Sequence, residues 1–185
     1  MKIIRRINNN VVLAEDGNRQ SLVAFGLGIG FHKTPYELTD LSRIERTFYD
    51  VNPQYISLMG DYPPEIISVS ANIAELASFE LQCELNPNLA FTLADHLTFA
   101  IERMKKGIDI SVPFAFDIAQ LYPKESELGK RALKMLEEAV GIMMPEREVA
   151  NIAMHLINAE VENEDLHSTI MMMKITVDVV ELAEQ

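Results

Sequence analysis

Two histidines and one glycine-laced stretch carry the residue types that could do chemistry in this chain. His96 sits seven residues after Leu89, three after Leu93 and five before Ile101; His155 sits three after Ile152 and four before Ala159. At 3.6 residues per turn, both fall on or beside the apolar stripe of a helix. Asp95 adjoins the first, and Asn158 and Glu160 lie near the second. Earlier in the chain, Gly26, Leu27, Gly28, Ile29, Gly30 and Phe31 alternate glycine with large apolar residues, and Lys33 follows. Glycine at every second position strips side chains from one face of an extended segment and admits close approach to its backbone. An exposed ring beside bare backbone, with a cation next to it, is how proteins stack unpaired bases. A bulged strand in a small β core has the same pattern.

The histidines could bind a metal, act as acid and base, or accept a phosphoryl group; the bland alternative is a hydrogen-bonded residue at the edge of a core. The sequence has no HxxxH, no HExxH and no cysteine cluster, so no metal is expected. No nucleophile motif, phosphate loop or dinucleotide fingerprint accompanies the histidines, so neither catalysis nor a cofactor is expected. A neutral imidazole, nucleophilic near pH 7, remains as a phosphoryl acceptor. A phosphoryl group there would add roughly −1.5 to −2 of charge.

The chain of 185 residues is long enough for one large domain or two small ones. With 48% hydrophobic and 24% charged residues it reads as globular. A single cysteine, Cys83, excludes an internal disulfide framework and fits a reducing compartment. The opening MKIIRRINNN has no apolar run behind it and no stretch approaches the ~18 apolar residues of a membrane span, so a cytoplasmic protein is expected. Net charge is −12, unevenly spread: in residues 1–34, Lys2, Arg5, Arg6, Arg19 and Lys33 outnumber Glu15 and Asp16 by three, leaving −15 on the remainder. A basic head suits a polyanion, and an acidic body repels one.

These residues need elements to hold them. Two β-branched runs around Asn8, Asn9 and Asn10 read as strands joined by a tight turn; residues 20–25 read as a third strand and the glycine-laced segment as a fourth. So small a sheet must pack on a copy of itself or on the body. Leu41, Ile44, Glu45 and Phe48 follow helical spacing, which predicts a short linking helix over residues 40–49. Asn52-Pro53 marks a boundary between residues 1–52 and 53–185. Beyond it the period is helical, with helices expected at about 53–59, 65–85, 88–106, 114–121, 124–140, 146–162 and 166–183, separated by proline, glycine and asparagine breakers. The fold class expected is a small antiparallel β-sheet domain followed by an all-α bundle.

Four motifs in order, KIIRRINNNVVL at 2–13, FGLGIGF at 25–31, ADHLTFAIER at 94–103 and NIAMHLINAE at 151–160, make the chain resemble the BglG/SacY-type transcriptional antiterminators of bacterial sugar operons. The resemblance implies that the N-terminal sheet dimerises and binds an imperfect RNA hairpin in a leader transcript, holding off an overlapping terminator. It also implies a helical phosphotransferase-regulated domain that takes phosphoryl groups from HPr or a sugar-specific enzyme II. By motif match, Arg5, Asn10, Gly26, Phe31 and Lys33 would face RNA, and His96 and His155 would be the phosphorylated pair. DNA is not expected as a partner, because every long helix lies in the acidic part. Two departures stand out: Leu27 replaces a basic residue usual between the first two glycines, and one regulatory domain stands where the family usually has two.

Overall fold

A computed structural model describes residues 1–108 and 115–160. The C-terminal helix expected over 166–183 lies outside the described residues. Five strands, β1 (Lys2–Arg6), β2 (Val11–Glu15), β3 (Ser21–Phe25), β4 (Tyr36–Glu37) and β5 (Arg46–Tyr49), form one antiparallel sheet in the order β4-β1-β2-β3-β5. Among the described residues six helices follow: α1 (Pro53–Leu58), α2 (Pro64–Leu81), α3 (Leu89–Lys105), α4 (Ala115–Leu121), α5 (Pro123–Val140) and α6 (Glu148–Ala159).

The first three strands and the helix starts follow the sequence pattern, because prolines start α1, α2 and α5 where their missing N–H is harmless, and Gly141 ends α5 at φ 69°; α2, expected to run to residue 85, stops at Leu81, where Gln82 turns left-handed at φ 53°. Two expectations fail. Residues 40–49 do not form a linking helix; only Leu41–Arg43 turn as a 3-10 helix, capped by Asp40, and residues 46–49 become β5. The free edge of β3 decides this, pairing Leu22 with Tyr49 and Phe25 with Arg46. Nor is the glycine-laced segment a strand: residues 27–30 are successive turns.

Strand alternation gives the sheet two apolar faces. One buries Ile3, Val12, Ala14, Leu22 and Ala24 with Ile29 and Leu38, which lie on the segments before and after β4. The other lays Val11, Val23 and Phe25 on the helical core, against Met59, Tyr62, Ile66 and Phe91. The sheet thus packs on its own body. An aromatic run bridges the two halves: Phe25 meets Phe48 at 5.5 Å between ring centroids, Phe48 meets Phe91 at 4.9 Å, and Phe91 meets Tyr55 at 6.3 Å. Arg46 adds an ion pair to Glu75 at 3.0 Å and a hydrogen bond to Asn72 on α2. That pair is solvent-accessible, so Arg46→Ala should cost no more than about 1 kcal/mol. Phe48→Ala should cost about 2 kcal/mol or more, since it opens the aromatic junction. Urea unfolding of both variants checks the order; a larger loss for Arg46→Ala would mean that charge holds the sheet down.

In the body, α2 packs on α3 and α5, and α6 packs on α3, α4 and α5. Gly129 on α5 lets α6 come close, since a Cβ there would stand 2.7 Å from the carbonyl oxygen of Val149. Helices α3 and α6, which carry the two histidines, pack directly on one another.

Candidate functional site

The imidazoles of His96 on α3 and His155 on α6 lie 4.9 Å apart, centroid to centroid, inclined at 48°. His96 is mostly buried and its Nε2 is 3.1 Å from Oε2 of Glu148. Glu148, at the start of α6, is 4% exposed. Asn151 donates from Nδ2 to the same oxygen at 2.9 Å, and Arg103 donates from Nη2 to Oε1 at 3.2 Å. The guanidinium of Arg103 also lies 5.3 Å over the Phe99 ring. Burial alone would raise the pKa of Glu148, but the hydrogen bonds from His96 and Asn151 and the charges of His96 and Arg103 outweigh it and hold the carboxyl below its usual value.

Burial first, and then the neighbouring His96 charge, push the pKa of His155 down to about 4. His155 is therefore neutral through the physiological range and keeps a lone pair for nucleophilic attack. It lines a cleft of about 350 Å³ with Asn52, Tyr55, Asn86, Asn88 and Asn158. Across that cleft the backbone N–H of Asn52, which caps α1, donates to Oδ1 of Asn88 at 2.9 Å. Asp95, adjacent in sequence to His96, accepts a hydrogen bond from the Tyr62 hydroxyl at 2.8 Å. Among the described residues, no three His, Cys, Asp or Glu side chains converge as a metal site would need.

The second constellation is the loop after β3. Its glycines are demanded by the protein's own chain. A Cβ on Gly26 would lie 1.9 Å from the Arg43 carbonyl oxygen, and one on Gly30 would lie 2.0 Å from that of Asn8. The N–H groups of Gly26 and Gly30 donate to the carbonyls of Asn10 and Asn9, and that of Gly28 donates to Oδ1 of Asn10 at 2.9 Å. Asn10 and Gly26 are thus brought together, and both spend groups on the scaffold. Phe31 lies back over Gly28 and is 68% exposed. Arg5, on β1 before the turn, and Lys33 are exposed, and neither joins any of the ion pairs among the described residues. The structure does not draw these two cations into the hydrogen-bonded cluster of Asn10, Gly26 and Gly28.

Sequence reasoning missed Glu148, Arg103 and Arg43. Glu148 lies seven residues before His155 and Arg103 seven after His96, two turns along the same faces, which was the available signal. Arg43 braces the loop, donating from Nη2 to the Gly28 carbonyl at 3.4 Å. Asn8 fastens the turn to the body through Nδ2 and the Met59 carbonyl at 3.3 Å.

Residues 1–55 match the CAT RNA binding domain and residues 71–159 match the PRD domain. The chain is 35% identical to the transcription antiterminator LicT of Bacillus subtilis (strain 168), over all of this chain and 68% of that protein. It is 34% identical to the beta-glucoside operon antiterminator of Dickeya chrysanthemi, over 88% of this chain and 59% of that one. Among solved structures, the crystal structure of GlcT CAT-PRDI superposes with a TM-score of 0.72 at 28% identity, covering 87% of this chain and 99% of that one. The chain therefore spans about three fifths to two thirds of the length of these two curated relatives.

Proposed function

This chain belongs to the transcription antiterminators that join a CAT RNA binding domain to a PRD domain, and on that premise we propose that it binds a leader-RNA hairpin as a homodimer and keeps an overlapping terminator from forming in a sugar-utilisation operon. Phosphotransferase-system donors, HPr or a sugar-specific enzyme II, control it by phosphorylating His96 and His155. The observation that carries the RNA half is the exposed Phe31 ring on a loop whose amides are already satisfied within the protein. Such a ring is available to a base splayed from an internal loop, with Arg5 and Lys33 meeting phosphate and Asn10 and Gly26 setting the backbone that faces the sugars. The observation behind the regulatory half is the contact of His96 with His155, across two helices of the acidic body. No described helix is long and apolar enough to cross a membrane.

A gel shift with a leader hairpin, run beside duplex DNA at matched salt, tests this directly. Phe31→Ala should weaken hairpin binding by about ten- to a hundredfold, the worth of one base–aromatic stack. Glutamate at His96 or His155 should change dimerisation or hairpin affinity; no change from either replacement would remove the regulatory half. One observation favours a second reading, a histidine-phosphorylated sensor without RNA binding: Leu27 is 78% exposed where the resemblance calls for a cation. On that reading the unaltered chain would leave the hairpin unshifted, Phe31→Ala would change nothing, and phosphorylation would persist.

A further inference from the structure

We propose that Glu148 is the positioning residue for phosphoryl transfer to His96: its carboxylate fixes the imidazole with the proton on Nε2 and presents the Nδ1 lone pair as the nucleophile. The inference rests on the reading of His96 as a phosphoryl acceptor. An ionised carboxylate only accepts hydrogen bonds, so the 3.1 Å contact obliges His96 to donate from Nε2. The protonated ring makes the same Nε2–H contact, and once its Nδ1 proton has left, the neutral ring so held has its remaining in-plane lone pair at Nδ1. The arrangement around Glu148 leaves one carboxylate oxygen to face the imidazole. Arg103 could grip both carboxylate oxygens with its fork, which would also satisfy its Nε. Instead it contacts Oε1 through Nη2 alone, its Nε is buried without a hydrogen-bond partner among the described residues, and Oε2 is left to His96 and Asn151. Asn151 sits one turn after Glu148 and steadies the oxygen that faces the imidazole.

The chemistry balances. The Nδ1 electron pair forms the new N–P bond. The P–N bond of the donor, a phosphorylated histidine or phosphoramidate, breaks, and its electron pair stays on the departing nitrogen, which takes a proton from solvent. The His96 ring becomes cationic while it still carries Nε2–H, and Glu148 faces that charge from a buried position, as the carboxylate of a hydrolase triad faces its histidine. Release of the Nε2 proton to solvent returns the ring to neutrality.

The test uses the whole chain with ¹⁵N-labelled histidine. Long-range ¹H–¹⁵N spectra of the unmodified protein read the His96 tautomer, and the same spectra after treatment with potassium phosphoramidate locate the phosphoryl group. The expected result is the Nε2–H tautomer, then phosphate on Nδ1 of His96. Glu148→Gln can donate as well as accept, so it should mix the tautomers and slow phosphorylation of His96 at least tenfold, leaving His155 within twofold; Glu148→Asp should restore part of the rate. A proton on Nδ1, a phosphoryl group on Nε2, or a full rate in Glu148→Gln overturns the proposal. Should Glu148→Gln fail to fold, the tautomer and the site of attack in the unaltered chain still decide. Normal phosphorylation with the wrong tautomer overturns this inference alone, whereas refusal of both histidines to accept phosphate overturns the parent reading with it.

Discussion

Replacing Gly30 with alanine is expected to dismantle the loop that carries Phe31. The new Cβ would stand 2.0 Å from the carbonyl oxygen of Asn8, and the obstructing atom is backbone, which cannot rotate aside. Either the hydrogen bond from the Gly30 N–H to the Asn9 carbonyl at 2.9 Å breaks, or the turn between β1 and β2 shifts. That turn is fastened to the body through Asn8 and Met59. We expect a loss of about 3 kcal/mol in unfolding free energy, at the upper end for an overpacked site. Hairpin affinity should fall in parallel, because Phe31 is the next residue. Gly17→Ala serves as the control: a Cβ there meets nothing within 4 Å, so its effect should stay within about 0.5 kcal/mol. Unaltered stability and hairpin binding in Gly30→Ala would show that the loop does not need the close approach.

Mild acid is expected to destabilise the protein through His155. The folded state holds its pKa near 4, against an ordinary 6.5, because burial and then the His96 charge disfavour the imidazolium. As pH falls, the unfolded chain takes up that proton first, so stability is intact above about 6.5 and is lost between there and about 4. The loss should reach about 2 kcal/mol at pH 5 and about 3 kcal/mol at full development. Glu148 adds a further loss at lower pH: its carboxyl is depressed in the folded state, so its contribution holds above the ordinary carboxyl pKa and disappears as pH falls through the folded one. Urea unfolding at pH 7.5, 6 and 5 measures the slope. His155→Gln should flatten it between pH 7 and 5; an unchanged slope would place the acid sensitivity elsewhere.

How much of this was legible beforehand depended on whether local pattern or distant pairing ruled. The histidines stand out because each sits among apolar residues at helical spacing, and spacing alone determines which face a side chain takes. Glu148 and Arg103 do not, because a charged residue near a helix end ordinarily faces solvent, and only the packing of α6 on α3 buries them together. Residues 40–49 mislead for a related reason. Leu41, Ile44 and Phe48 suit a helix, but Ile44, Arg46 and Phe48 alternate equally well as a strand, and the unpaired edge of β3 settles the matter. The glycines signal a close approach correctly, but sequence could not say that the approaching atoms would be the carbonyls of Asn8 and Arg43.

The seating of Val11, Val23 and Phe25 on the helices has a consequence for assembly. Any second copy that sought this face would compete with a tethered occupant whose effective concentration is fixed by the tether and does not fall on dilution. Stoichiometry through this face is then an exchange: each sheet released from its own helices gains a neighbour only as it gives one up. Such a balance would shift with total protein and with anything that loosens the tethered side.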